Sequence, residues 1–315
     1  MKHAISKSVY VGFDLGGTAL KYGLLNDTGE ILHKSQVETP KNLGKLLQTL
    51  EEIWATLHTG RQQQIRAAGF GIPGIFSAKE QKILQSPNYP DLDNFSLIPA
   101  LSRFIHVPLF VNNDANMAAY GEYRCGGGKN AHSLVLLTIG TGVGGGIILN
   151  GNIWEGACGF AGELGHATVN PDGDPCKCGS QGCLETEVSA PKIVKNYQKY
   201  SKSREDITSE EVARRAKNNE KTARQAFAHA GRYLGIGLSI AVNLLNPDKI
   251  LLGGGVMKAA EFLLPPAIDE AAKRSFKGSF QCCGIERATL GNNAGFIGAA
   301  LWAKQRVHVH TSATD

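Results

Sequence analysis

The chain has no hydrophobic run near the ~20 apolar residues that a membrane-spanning helix needs. Its first residues, Met1-Lys2-His3-Ala4-Ile5-Ser6-Lys7, lack the apolar stretch of a secretory signal. A cytoplasmic location with no membrane partner is therefore expected, and the triplets Asn26-Asp27-Thr28 and Asn94-Phe95-Ser96 become chance matches to the glycosylation pattern. Charged residues make up only 19% of the sequence, too few for a long solvated tail. The net charge of +5 comes with no run of Lys or Arg, which excludes a nucleic-acid arm and leaves a surface suited to small anions. No Gly-x-x-x-x-Gly-Lys-Ser/Thr loop occurs, and that removes the P-loop kinases.

Glycine is what the chain has in excess: 38 of 315 residues, about 12% against a usual ~7%. The glycines cluster, as backbone loops shaped for a ligand do. Seven cysteines are an odd number for disulfides. Three of them, Cys176, Cys178 and Cys183, fall within eight residues, and in a reducing compartment such spacing points to a metal.

The hydrophobic pattern predicts strands at Val9–Asp14, Leu20–Asn26 and Ile31–Glu38, then a helix from Leu43 to Leu57 on the stripe Leu43, Leu46, Leu47, Leu50, Ile53, Trp54 and Leu57. A buried strand at Ile65–Ile72 ends in Gly71-Ile72-Pro73-Gly74. A short helix near Leu97–Phe104 and a strand at Pro108–Val111 lead to a helix over Ala115–Tyr123. After Gly126-Gly127-Gly128, which reads as a hinge or boundary, strands are expected at Ser133–Gly140 and Gly144–Leu149. A glycine- and cysteine-rich loop region over 151–185 follows. Helices near 189–200, 208–218 and 220–245, a strand at Ile250–Leu252, a helix over Ala259–Arg274, a strand near Cys283–Thr289 and a helix at Ala294–Gln305 complete the pattern. The same theme of hairpin, helix and strand runs twice, which predicts two α/β domains with a cleft between them. The boundaries expected are 1–122 plus 293–315 for a small domain, and 123–292 for a larger one holding the cysteine loop.

Two glycine turns carry chemistry. Asp14-Leu15-Gly16-Gly17-Thr18, with Lys21 just beyond, joins two strands and offers backbone N–H groups to an anion. Thr18 adds a hydroxyl, and Asp14 is placed to hold a magnesium-bound water. The second turn is Thr138-Ile139-Gly140-Thr141-Gly142-Val143-Gly144-Gly145-Gly146. It matches the dinucleotide fingerprint, yet Ile147-Ile148-Leu149-Asn150-Gly151 after it reads as a strand, and the fingerprint has to open a helix. A third loop, Gly253-Gly254-Gly255, follows a later strand. Asn113-Asp114 ends a strand before a helix, the position from which α/β folds present side chains to a ligand. An aspartate there can accept the proton of an attacking hydroxyl or cap the helix.

Together these loops resemble the phosphate and adenosine elements of actin/hexokinase-type ATPases. The resemblance narrows at Glu155-Gly156-Ala157-Cys158-Gly159-Phe160-Ala161-Gly162-Glu163-Leu164-Gly165-His166 and at Cys176-Lys177-Cys178-Gly179-Ser180-Gln181-Gly182-Cys183-Leu184-Glu185. These segments resemble the ROK family (repressors, open reading frames and sugar kinases), bacterial glucokinases most of all, over about Val9 to Leu301. The resemblance implies a two-domain actin/hexokinase-like (ribonuclease H-like) fold with an interdomain cleft. It implies ATP with Mg2+ on Asp14, Gly16, Gly17, Thr18, Lys21, Gly140, Thr141, Gly142 and Gly144, with adenosine near Gly254 and Gly255. It makes Asp114 the catalytic base and assigns hexose hydroxyls to Gly74, Asn88, Asn113, Asp114, Glu163, His166 and Glu185. It also implies a homodimer.

His166 with Cys176, Cys178 and Cys183 supplies one nitrogen and three thiolates, a closed donor set that suits a structural Zn2+. His166 then has two tasks, one for each ring face. Where the family's glucokinases often place a tryptophan shortly after the residue matching Asn88, this chain has Tyr89-Pro90-Asp91-Leu92-Asp93-Asn94-Phe95, so glucose and an N-acetylhexosamine both stay open as acceptors. Family repressors carry a helix-turn-helix segment ahead of the kinase-like body. Only thirteen residues precede Asp14, so an enzyme is expected rather than a sugar-sensing regulator.

Overall fold

The apolar, β-branched runs at the start of the chain form β1 (Ser8–Leu15), β2 (Ala19–Asn26) and β3 (Ile31–Glu38), and the striped segment after them forms α1 (Leu43–His58). Then come β4 (Gln64–Ile72), the small hairpin β5 (Ile75–Ser77) and β6 (Lys82–Gln85), α2 (Leu97–Leu101), β7 (Leu109–Asn113) and α3 (Asp114–Cys125). The second theme is β8 (Ser133–Ile139), β9 (Val143–Leu149), β10 (Asn152–Ile153), α4 (Leu184–Val188), α5 (Ala190–Ser201), α6 (Ser209–Lys217), α7 (Lys221–Leu245) and β11 (Lys249–Gly253). It ends with α8 (Ala260–Arg274), α9 (Lys277–Cys282), β12 (Gly284–Arg287) and α10 (Ala294–Ser312). This computed structural model describes residues 8–59, 63–77, 79–87 and 89–312. Among them no helix is long and apolar enough to cross a membrane.

The chain divides into two compact units. One comprises Met1–Lys129, Glu155–Ala161 and Asn292–Asp315; the other comprises Asn130–Trp154 and Gly162–Gly291. The first contains a five-stranded sheet in the order β3-β2-β1-β4-β7, and the second a five-stranded sheet in the order β10-β9-β8-β11-β12. Each sheet has the same plan: an antiparallel three-stranded meander whose first strand pairs in parallel with a later strand, which in turn pairs in parallel with the next. The twofold theme read from the sequence is thus a repeat of topology.

In the first unit Val9, Val11, Phe13 and Leu15 of β1 pack with Leu46, Leu50, Ile53, Trp54 and Leu57 of α1, and Phe13 stacks on Phe70 of β4 with ring centroids 4.5 Å apart. Burying five such side chains on one helix face contributes roughly 1.5–3 kcal/mol each, far more than the intrinsic preference of the segment for helix. The opposite face of the sheet is covered by α10, which packs on β1, β2, β4 and β7 and on α3. The second core gathers Leu137, Ile139, Ile250 and Leu252 of its strands with Phe227, Leu234 and Leu238 of α7. Covered on both faces, the central strands read as nearly continuous apolar runs.

The register decides which loops meet. Asp14 stands opposite Gly71, and Gly71 opposite Asn112, so β1, β4 and β7 end on one line. In the second sheet Thr138 stands opposite Gly253, which sets the loop after β8 beside the loop after β11. The three glycines after α3 are fastened: Glu122, fully buried, accepts from the Gly127 N–H at 2.9 Å, and its carbonyl accepts from Gly126 and Gly128. The segment Glu155–Ala161, which the sequence reading puts in the second domain, belongs to the first unit. There Glu155 accepts from the Asn112 side-chain amide at 2.6 Å.

Candidate active site

On the first unit, the turn between β1 and β2 closes with Gly16 N–H donating to Ala19 O at 3.0 Å. Thr39 ties it down from below, its hydroxyl donating to Gly16 O at 2.7 Å. Gly17 and Thr18 are exposed at the tip. Asp14 lies beside the tip with its side chain 14% exposed, and Lys21, its register partner on β2, holds Nζ 3.8 Å from its carboxylate. Burial pushes the Asp14 pKa above the usual carboxylate range, with Lys21 pulling against it.

Along the same edge Asn113 caps α3, its Oδ1 accepting from the N–H groups of Ala115 and Asn116 at 2.8 and 3.2 Å. Its amide nitrogen donates to Gly74 O at 3.0 Å, which fixes the β4–β5 turn. The capping role that the sequence allowed Asp114 therefore falls to Asn113. Asp114, the first residue of α3, is half-buried, and its Oδ1 accepts from the next N–H, Ala115, at 2.8 Å. Asn88 lies outside the described residues. Tyr89 donates its N–H to Ser86 O at 3.0 Å and its hydroxyl to Pro40 O at 2.5 Å.

On the second unit, the loop joining β8 and β9 is closed by Gly140 N–H donating to Gly142 O at 2.9 Å, and Ala190 at the start of α5 donates to Gly140 O at 2.8 Å. The dinucleotide reading fails here as the sequence indicates, because β9 returns antiparallel to β8. Beside this loop lies a cavity of about 520 Å³, lined by Gly140, Thr141, Pro191, Ile207, Glu210 and Val256 among others. Its walls come from α5, from the start of α6 and from the Gly255 turn. The sequence pointed to Gly254 and Gly255 but not to Pro191, Ile207 or Glu210. Their only local signal is the capping pattern at Thr208, whose hydroxyl accepts from Glu211 N–H at 3.2 Å. Such a pattern marks a helix start and nothing about a ligand.

Glycine has different reasons at different places in these loops. Gly254 has φ +89° and sits against the Ile139 backbone, so the turn itself requires it. At Gly17, Gly140 and Gly255 a Cβ would meet no heavy atom within 4 Å, and none of the three has a left-handed backbone. Neither packing nor backbone strain calls for glycine there, and the bare main chain leaves room for a ligand to approach it closely.

The cysteine loop brings its four sequence-predicted donors together. The ligand atoms of His166, Cys176, Cys178 and Cys183 lie within 4.8 Å of one another. Cys178 and Cys183 sulfurs are 3.7 Å apart, and Cys176 Sγ is 3.6 Å from His166 Nδ1. Around a tetrahedral zinc with Zn–S about 2.3 Å and Zn–N about 2.0–2.1 Å, those separations are about 3.8 and 3.6 Å. The donor set fits the ion. Burial and the neighbouring Cys176 and Cys178 push the Cys183 thiol up to about 12, so a dication is what would hold all three sulfurs as thiolates.

With Nδ1 turned to the cysteines, His166 directs Nε2 toward Glu163, 3.8 Å away. The Glu163 side chain keeps 46% of its surface open, yet partial burial raises its pKa, with His166 opposing and the Glu185 charge adding to the rise. Glu185 is held by the phosphate-type loop of its own unit: its Oε2 accepts from Val143 N–H at 2.8 Å and occupies the space, 2.5 Å away, where a Gly142 side chain would begin.

Comparison with known proteins identifies the family and the fold. The ROK family model matches residues 10–306. The chain is 37% identical to a glucokinase of Halalkalibacterium halodurans, over 94% of this chain and 95% of that one. It is 32% identical to an N-acetylmannosamine kinase of Haemophilus influenzae (93% and 95%) and 29% identical to a xylose repressor of Caldicellulosiruptor bescii (91% and 76%). A ROK family glucokinase from Streptomyces griseus, solved with glucose and AMPPNP, superposes with a TM-score of 0.80 at 31% identity, over 94% of this chain and 99% of that one. The fold is the α/β, two-sheet, actin-like fold of those structures, and the chain belongs to the ROK family.

Proposed function

We propose that the protein transfers the γ-phosphoryl group of ATP to the 6-hydroxyl of a hexose, glucose first, releasing ADP and the hexose 6-phosphate. The observation that carries this reading is the set of glycines at Gly17, Gly140 and Gly255, which nothing within the protein requires. Gly17 lies on the β1–β2 turn of the first unit; Gly140 and Gly255 line the 520 Å³ cavity of the second, and bare main chain of this kind suits a polyanion with a base attached. The cavity's apolar wall at Pro191, Ile207 and Val256 favours a nucleoside over inorganic polyphosphate as donor.

In this reading Asp114 accepts the proton of the attacking hydroxyl as the O–P bond forms and the bond to the ADP oxygen breaks. Asn113 holds Asp114 at the helix start and keeps one amide hydrogen beyond its bond to Gly74. Glu163 and His166 Nε2 supply an acceptor and a donor to sugar hydroxyls, and Glu185 supplies an acceptor. Asp14 would hold magnesium through water, and the ion would neutralise charge on the phosphates. Zinc held by His166, Cys176, Cys178 and Cys183 would have its four positions filled by protein, so it would position His166 and Glu185 and would activate no water. Cytoplasmic location and homodimerisation belong to the same reading, the second to be checked by light scattering.

The test is an assay of the purified protein with ATP and magnesium against glucose, mannose, fructose, N-acetylglucosamine and N-acetylmannosamine, ranked by kcat/KM. A clear preference for glucose supports the reading. Preference for an acetylated sugar, in line with the 32% identical N-acetylmannosamine kinase, keeps the mechanism and replaces the substrate. No turnover with any of them leaves a sugar-binding regulator and removes the role given to Asp114.

A further inference from the structure

The Asp14 carboxylate occupies a seat that another residue has to leave empty. A side chain begun at Gly295, in the first turn of α10, would lie 2.5 and 2.8 Å from the two carboxylate oxygens of Asp14 and against its Cγ as well. Gly295 does not have a left-handed backbone, so the helix would accept alanine there. The three nearest atoms such a side chain would meet all belong to the Asp14 carboxylate. Lys21 Nζ stands 3.8 Å from one of the Asp14 oxygens, so the group is held between a cation and a bare α-carbon.

The same helix is fixed to the element that carries Asp114. Gly298, one turn after Gly295, lies against the Met117 carbonyl of α3, and Gly121 of α3 lies against the Ala294 carbonyl. Backbone-to-backbone contact of this kind leaves no flexible side chain to absorb a shift.

We propose that Gly295 is a positioning residue of the phosphate site: its missing side chain forms the seat of the Asp14 carboxylate, and α10 ties that seat to α3, which begins with Asp114. The kinetic consequence rests on the phosphoryl-transfer reading above. The contact itself does not.

The experiment is a cycle of full-length, zinc-replete proteins: Gly295→Ala, Asp14→Ala and the two combined. Thermal melts come first, because they need no activity. Gly295→Ala lowers Tm in the wild-type background but leaves it unchanged or raised when Asp14 is alanine, since the new methyl then has an empty seat. An equal drop in both backgrounds overturns the proposal. If Gly295→Ala does not fold, a folded double variant carries the same conclusion, and failure of both overturns it.

Kinetics come second. Displacing a phosphate-site group by about 1 Å costs on the order of 10²-fold, so Gly295→Ala should lose that much in kcat/KM for magnesium–ATP. Its hexose Kd, measured by calorimetry without nucleotide, stays at the wild-type value. Wild-type nucleotide kinetics, or an equal loss of hexose affinity, would show packing without positioning and would overturn the assignment. Should the wild type show no kinase activity, the proposed function fails while the melts still report on the seat.

Discussion

Gly140→Ala separates a glycine kept for a ligand from one kept for the fold. In the structure the added methyl meets no atom within 4 Å and the backbone is not left-handed. The folded state therefore carries no penalty, and the unfolded chain loses freedom, which is worth about 0.4–1 kcal/mol of added stability. For a body of this size each kcal/mol moves Tm by about 2–4 °C, so a rise of roughly 1–4 °C is expected. If phosphate oxygens approach the main chain here, the methyl displaces at least one charge-assisted hydrogen bond worth about 1.5–3 kcal/mol. That is roughly a 10–150-fold loss in kcat/KM for ATP, with hexose affinity untouched. The assay pairs differential scanning fluorimetry with coupled-enzyme kinetics at varied ATP. Gly254→Ala is the control: with φ +89° and the Ile139 backbone against it, it should lower Tm. Unchanged nucleotide kinetics in Gly140→Ala, or a lowered Tm, would refute the reasoning.

Asp114→Asn should reduce kcat by at least ~10²-fold, as loss of a general base does. Its fold should hold, because Asn113 provides the cap and only about 0.3–1 kcal/mol of helix-end charge is removed. Cys178→Ser should lower bound zinc, read by elemental analysis, together with Tm; full zinc content in the variant would dismiss the site. Glu187, almost fully buried, offers a pH test. Burial works to raise its pKa, but bonds from His229, Asn170 and Lys192 outweigh it and bring the value below normal. A lowered folded-state pKa stabilises above the unfolded value and is lost as pH falls through the folded one. Glu187→Gln should therefore cost Tm at pH 7, with the gap to wild type closing below about pH 4.5. A gap independent of pH would show that the Glu187 charge contributes nothing.

The long elements were legible because their periodicity is strong. The α1 stripe from Leu43 to Leu57 recurs as a helix over Leu43–His58, and the Ile147–Leu149 run after the second glycine turn is a strand. The small hairpin β5–β6, the two-residue β10 and the six-residue α9 were not predicted. Ile75–Ser77 and Lys82–Gln85 are too short for a period to declare itself, and tertiary neighbours decide them. The cavity wall at Pro191, Ile207 and Glu210 escaped for a related reason. Those residues are distant in sequence from Gly140 and Gly255, and each has an ordinary local explanation as a helix residue or cap.

By itself the sequence determined the chemistry available: an aspartate at a strand end, glycine turns of phosphate-loop type, and four donors with zinc spacing. Those follow from residue type and short-range order, which covalent connectivity preserves. Only the tertiary structure decided the division of labour among them. It made Asn113 rather than Asp114 the cap, turned His166 Nδ1 to the cysteines and Nε2 to Glu163, and fastened Glu185 to the Val143 N–H. It also separated the glycines that the backbone needs from those that neither backbone strain nor packing requires. Such distinctions depend on which atoms occupy the space around a residue, and that space is filled by segments tens to hundreds of positions away.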